Sequence, residues 1–387
     1  MIPGSLLRAV RNERFAALCG DYKLAGKTGR ASPLVRVITF DHTAQGRPLC
    51  AVIASHEGVS ETAKLPANGK PAVLAQGGIH SGEIDGKDAG MMLLRGIAFG
   101  GKETLLVENF EEGTLEALKP RWNEIENKDA RVLEIVNEHP AASSGSKCLQ
   151  VTATLGENTG GHLFKRLDPI QTRVFSRFYV KFAKDAPYLH HFSGLGGYNP
   201  PTNWPQGSAG KHAAGDTRFS ARIEPNGSYG TLAVPGGWMF YTYWHDMKQS
   251  ADGGFWGNGL WPEGKPGPPR GQWQCVEIMV KCNDIGQSNG ELALWLDGKL
   301  TTHIGPGTKT GKWTGEGFDV LKNGPQTFEG FRWRTVPELA VSYFMLSHYV
   351  TENAYRQNNV ANPPKTNCVW FDDIVIATEY VGPISKR

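Results

Sequence analysis

Asn289-Gly290-Glu291-Leu292-Ala293-Leu294-Trp295-Leu296-Asp297-Gly298-Lys299-Leu300 reads as a strand, a two-residue turn and the start of a returning strand. Asp-Gly between apolar runs is a strong hairpin signal, because the turn needs positive φ and glycine supplies it without steric cost. Working outward, short apolar stretches recur at Cys148 to Thr154, Val174 to Phe182, Phe219 to Ile223, Trp238 to Trp244, Trp273 to Lys281, Leu339 to Leu346 and Trp370 to Thr378. Val276, Ile278 and Val280 alternate with Glu277, Met279 and Lys281, as Phe178, Val180 and Phe182 do with Arg177, Tyr179 and Lys181. A period of two puts one set in a core and leaves the other on an available face. Repeated strands separated by glycine-rich turns, with almost no amphipathic helix, predict a mainly β protein built as a two-sheet antiparallel sandwich.

The first hundred residues have a different texture. Pro71 to Gln76 reads as a buried strand, Gly77-Gly78 as a sharp turn, and Gly86 to Phe99 carries a helical apolar period. His80-Ser81-Gly82-Glu83 falls where strand gives way to helix. With Ser32 to Val37 and Gln45-Gly46-Arg47-Pro48, the stretch from about Asn12 to Gly100 resembles the beginning of a zinc carboxypeptidase domain of the funnelin type. That resemblance makes His80 and Glu83 two ligands of an incomplete zinc site. Catalytic zinc takes three protein ligands and an open position, and no later histidine fits the family's pattern, so zinc is not expected to carry the activity. We divide the chain into a truncated carboxypeptidase-like α/β segment, residues 1–103, and a β domain, residues 104–387.

From about residue 104 onward the chain resembles the concanavalin A-like jelly rolls of polysaccharide lyases of the heparinase and alginate-lyase kind. Arg177 to Phe182, Asn289 to Gly298 and Val369 to Ile376 carry the likeness. It implies a jelly-roll fold and action on, or binding of, a glycan. One such sandwich hosts several reactions, so the reaction must be argued from side chains.

The formal charge of +3 on 387 residues is too mild for nucleic acid, and no stretch reaches the length of a membrane span. An acidic polysaccharide is the expected partner, with no nucleic acid and no membrane. The six cysteines form no C-x-x-C pair and define no disulfide framework. Glycan chemistry implies an extracellular or periplasmic place, although Met1 to Arg8 does not read as a signal peptide.

Elimination from a uronate needs a cation against the carboxylate, a base for the proton beside it and an acid for the leaving oxygen. Tyr241, Tyr243 and His245 alternate along Trp238 to His245, and His190 and His191 offer a further base. These give catalytic candidates Tyr241, Tyr243, His245 and His190. Arg177, Lys181 and Arg222 supply cations for binding, with Tyr343 or His348 able to enter from a neighbouring strand. Sugar rings stack on indole, which singles out the loop tryptophans Trp204, Trp244, Trp256 and Trp261. Trp295 and Trp370 sit in regular strand patterns and are expected to pack internally. Glu108, Glu111, Asp372 and Asp373 could meet if the terminal strands pair, and the jelly-roll resemblance implies a structural calcium there, with Glu111 and Asp373 the foremost ligands. Elimination itself requires no cofactor.

The leading expectation is therefore a lyase cleaving an acidic glycan by β-elimination. A non-catalytic glycan-binding jelly roll is the alternative, and a zinc metallocarboxypeptidase-like protein the third. Hydrolysis ranks lower, because Glu277 and Glu291 do not form the paired carboxylates that it uses.

Overall fold

The computed structural model describes residues 35–42, 44–46, 48–54, 103–128, 130–203, 208–306, 310–357 and 360–384. By Cα proximity the chain divides into two compact units, Met1–Glu103 and Thr104–Arg387. In the first, β1 (Val35–His42) and β2 (Pro48–Ala54) pair antiparallel, with a bulge between Thr39 and Asp41.

The second unit opens with β3 (Thr104–Glu108), β4 (Glu124–Glu126), β5 (Leu133–Val136), β6 (Cys148–Thr154), β7 (Gly160–Gln171) and β8 (Arg173–Phe182). It continues through β9 (Gly194–Tyr198), β10 (Arg218–Asn226), β11 (Gly237–Tyr243), β12 (Asn258–Trp261), β13 (Trp273–Lys281) and β14 (Glu291–Leu296). The remaining strands are β15 (Lys299–Ile304), β16 (Thr310–Thr314), β17 (Gly317–Val320), β18 (Gln326–Thr327), β19 (Val341–Tyr349) and β20 (Thr366–Ala377), with a short helix α1 (Glu352–Gln357). Ten of these form one sheet in the order β18-β16-β17-β12-β11-β10-β9-β19-β7-β4, and another sheet runs β15-β14-β13-β8-β20-β6-β5, with β3 added on β20. Pairing is antiparallel except between β12 and β17.

Between the sheets lies the predicted core. Val276, Ile278 and Val280 meet Phe178, Val180 and Phe182 from the smaller sheet, and Phe219, Ala221, Ile223, Phe240, Phe344 and Leu346 face them from the larger one. Burying a large apolar side chain contributes roughly 1.5–3 kcal/mol, and this continuous layer is what holds the sandwich together. The Asp297-Gly298 hairpin forms as predicted, with φ of 51° and 81°, and joins β14 to β15 through Leu296 and Lys299. Asp297 tolerates the left-handed region because its carboxylate accepts from the Cys275 N–H at 2.9 Å.

Strand β9, Gly194-Leu195-Gly196-Gly197-Tyr198, has no apolar alternation to announce it. Its glycines are needed for close approach inside the larger sheet. A Cβ on Gly194 would lie 2.7 Å from the Arg222 Cα, and one on Gly196 would lie 2.6 Å from both the Phe219 carbonyl oxygen and the Tyr343 ring.

Candidate functional site

The strands of the larger sheet alternate between core and an outward face, and that face carries a groove. On β10, Phe219, Ala221 and Ile223 point inward, leaving Arg218, Ser220, Arg222 and Glu224 outward. Register then aligns Arg222 with Tyr241 of β11 on one side and with Gly194 of β9 on the other. Two adjoining cavities of about 620 and 980 Å³ share His190, His191, Tyr241 and Trp256 as lining. The absence of a side chain at Gly196 leaves room for Tyr343, which stacks between Phe164 and Tyr198 with ring centroids 5.0 and 5.1 Å away.

At the centre, His191 Nδ1 lies 3.0 Å from the buried Glu224 carboxylate. A carboxylate only accepts, so Nδ1 carries the proton, and in the neutral ring the lone pair is on Nε2. The His191 ring sits 4.9 Å from the Tyr241 ring. The Tyr241 hydroxyl accepts the Gly257 N–H at 2.8 Å and lies 3.5 Å from the Tyr243 hydroxyl. Burial, then the neighbouring Tyr243, pushes the Tyr241 pKa well above that of an ordinary phenol, so it remains a proton donor at neutral pH. His190 stacks on His191 at 4.3 Å and bonds Thr351 Oγ1 at 3.1 Å. Burial, followed by His191, lowers its pKa to about 4, leaving it neutral. Arg222 donates to the Phe192 carbonyl at 3.2 Å, and Arg218 lies over the Tyr243 ring at 4.8 Å.

Of the residues chosen from sequence, Tyr241, Tyr243, His190, Arg222, Trp256 and Trp261 line the groove. Others do not. His245 lies beyond the end of β11, where its Nδ1 donates to the Ala214 carbonyl at 2.7 Å, so the alternation stops before reaching it. Trp244 is fully buried against Phe328 and Phe331, its indole N–H satisfied by Asn258 at 3.3 Å, which makes it core rather than a sugar platform. Arg177 and Lys181 lie on β8 of the smaller sheet, not on the groove sheet. There Arg177 is 6% exposed and covers the Tyr179 ring, while Lys181 pairs with Glu138 at 2.9 Å and stacks over Trp370. Tyr343 and His348 both belong to β19 of the groove sheet, Tyr343 beside Gly196 and His348 at the first cavity, where it is fully buried and reaches the Asn367 carbonyl at 3.3 Å. Trp204, His80 and Glu83 lie outside the described residues. Glu224 and His191 were the residues that sequence reasoning undervalued. Following the alternation of β10 two residues past Arg222 reaches Glu224.

At the end of the sandwich, β3 and β20 pair through Glu108 and Ile374. Glu108 is spent on Arg121 Nε at 2.9 Å and on the Trp122 indole at 3.0 Å. Glu111 accepts the Ser146 and Lys147 N–H groups, both at 2.8 Å. Asp372 and Asp373 each keep one buried carboxylate oxygen without a donor, and Asp373 adopts φ 48° where β20 bulges against β8. Burial, then Asp373, raises the Asp372 pKa to about 8. Among the described residues no group of three or more His, Cys, Asp or Glu is arranged to hold a metal.

Residues 23–110 match the family model described as zinc carboxypeptidase, the segment in which His80 and Glu83 fall. No curated protein matches the chain. Among solved structures, it is similar to the alginate lyase vAL-1 from Chlorella virus, at 15% identity over 72% of this chain and 100% of that one, with a TM-score of 0.47. It is likewise similar to the marine PL-14 alginate lyase from Aplysia kurodai, at 15% identity, 72% and 100% coverage and a TM-score of 0.48. A third similarity is to an endo-β-1,4-glucuronan lyase from the fungus Trichoderma reesei, at 13% identity, 72% and 96% coverage and a TM-score of 0.37.

Proposed function

We propose that this protein is a polysaccharide lyase cleaving a uronate-containing glycan by β-elimination in the groove over the ten-stranded sheet. The observation that carries it is the convergence of a Glu224-held imidazole, a protonated phenol and a guanidinium, from His191, Tyr241 and Arg222, on one groove. Arg222 binds the uronate carboxylate and stabilises the charge that builds on it. His191 Nε2 takes the proton from the carbon beside that carboxylate. Tyr241 protonates the departing glycosidic oxygen, and a proton returning from His191 through water restores the phenol. One C–H and one C–O bond break, a C=C bond forms, and no cofactor is consumed. Hydrolysis is disfavoured because Glu224 and the first cavity's carboxylates, Glu124 and Glu126, are engaged with His191, His162 and Lys128.

Screening acidic polysaccharides for new ultraviolet absorbance from an unsaturated uronate tests this directly. No new absorbance on any glycan that binds would leave the second reading, a non-catalytic glycan-binding sandwich, which the half-exposed Trp256 favours. For the Asp372 and Asp373 pair we propose a structural calcium, supported by the two donorless oxygens. Calcium-dependent thermal stability that Asp373→Asn abolishes is the expected result.

A further inference from the structure

Resting on the lyase reading above, we infer that the substrate is a heteropolysaccharide in which uronates are separated by neutral sugars, and not an unbroken run of uronates. The distribution of charge along the groove carries this. At the centre, cavity-lining cations are confined to Arg218 and Arg222 among the described residues, and the neighbouring His190 is neutral. Beyond the centre the only other lining cations among the described residues, Lys128 and Lys265, lie 3.4 Å from Glu126 and 3.0 Å from Asp319. Those two ion pairs leave little net positive charge for a second uronate.

The flanks are also negative in their own right. Glu124 stands at one end, while Asp252 and Glu316 line the other cavity. A polyuronate threaded through would hold carboxylates against carboxylates on both sides of the single cationic centre, and like charges at close range are repulsive. A mixed chain meets no such opposition.

The subsite beside the centre repeats the point in its construction. Trp256 is 44% exposed and lines both cavities together with Tyr241 and His191. Its indole N–H donates to Asp252 Oδ2 at 2.8 Å, and Gly210 backs the ring closely enough that an added Cβ would stand 3.2 Å from it. The indole is thus a fixed platform suited to the apolar face of a sugar ring. The carboxylate that fixes it also places negative charge in the same subsite, so the platform accepts a neutral ring and disfavours an anionic one. Further along, Trp261 lies under Lys265 at 4.6 Å, extending the aromatic surface in the second cavity.

The test measures binding by the full chain and elimination separately. Calorimetric affinities are compared for an oligosaccharide of alternating glucuronate and N-acetylhexosamine and for an oligoglucuronate of equal length, at low and at moderate salt. At low salt the alternating chain is expected to bind at least about tenfold tighter, the scale of one unfavourable charge contact, and the gap should shrink as salt screens the flanks. The double variant Glu126→Gln/Glu316→Gln, at partly exposed positions, should narrow the gap by strengthening oligoglucuronate binding. Equal or tighter binding of oligoglucuronate by the wild type, an unmoved gap in the double variant, or no binding of either chain overturns the inference. Ultraviolet detection of unsaturated product is read independently. A binding preference without product refutes the lyase reading alone, and faster cleavage of the homopolymer refutes the substrate inference alone.

Discussion

Removing one oxygen atom from Tyr241 separates the roles of the groove from those of its surroundings. In Tyr241→Phe the ring and its contact with His191 persist, but the proton donor and the acceptor of the Gly257 N–H both disappear. Loss of a positioned acid costs about 10²–10⁴ in rate, or roughly 3–5 kcal/mol at 1.36 kcal/mol per decade. The stranded Gly257 N–H costs about 1–3 kcal/mol of stability, and a domain of this size loses roughly 2–4 °C of melting temperature for each of those. The variant should therefore melt lower yet stay folded at 25 °C, with unchanged substrate affinity and turnover down by at least about a hundredfold. The assay is initial-rate absorbance of the unsaturated product at saturating substrate, beside thermal melts. His245→Ala is the control, since that imidazole is bonded to Ala214 away from the groove, and it should turn over within a few-fold of wild type. Wild-type turnover in Tyr241→Phe, or an equal loss in His245→Ala, would refute the assignment of the acid.

Arg222→Ala should weaken binding of a uronate oligosaccharide and reduce its salt dependence, whereas Arg177→Ala, on the other sheet, should lower the melting temperature and leave that salt dependence unchanged; titrations at two ionic strengths check both. Without calcium, the Asp372 proton is held to about pH 8 in the fold but released near 3.8 in the unfolded chain, so this group's stability contribution is full below about pH 4 and lost as pH rises through about 8. In chelator, melting temperature should fall over that window, Asp372→Asn should flatten the slope, and a slope unchanged by the substitution would contradict this. Residues 104–387 alone should melt cooperatively, because β3 and β20 pair within that unit; an insoluble or molten fragment would count against it.

The sandwich was legible because a period of two is a local property: Val276, Ile278 and Val280 are all fully buried in the core, although Glu277 and Met279 are buried too, at 1% and 6%, so the other face of β13 is not the available one that alternation implied. Alternation also identified Arg222, Tyr241 and Tyr243 as outward-facing. It gives parity within one strand and nothing about which sheet the strand joins, so Arg177 and Lys181 were grouped with side chains that lie across the core from them. His245 failed for a related reason, since the period was carried past the end of β11. Strand β9 was illegible because its glycines answer to neighbours far away in sequence, at Phe219 and Arg222. Trp244 follows a run of aromatic residues and Trp256 sits among glycines, and only their surroundings in the fold distinguish the core indole from the half-exposed one.

The glycines of β9 also limit how this groove could be re-engineered. Truncating Tyr343 would clear part of the space above Gly196, but the Phe219 carbonyl, 2.6 Å from any added Cβ, belongs to the neighbouring strand and cannot be trimmed away. No pairwise compensation at side chains frees that position. A library aimed at new glycan preferences should therefore hold Gly194 and Gly196 constant and place its diversity on the flanking strands, at Ser220 on one side and Met345 and Ser347 on the other.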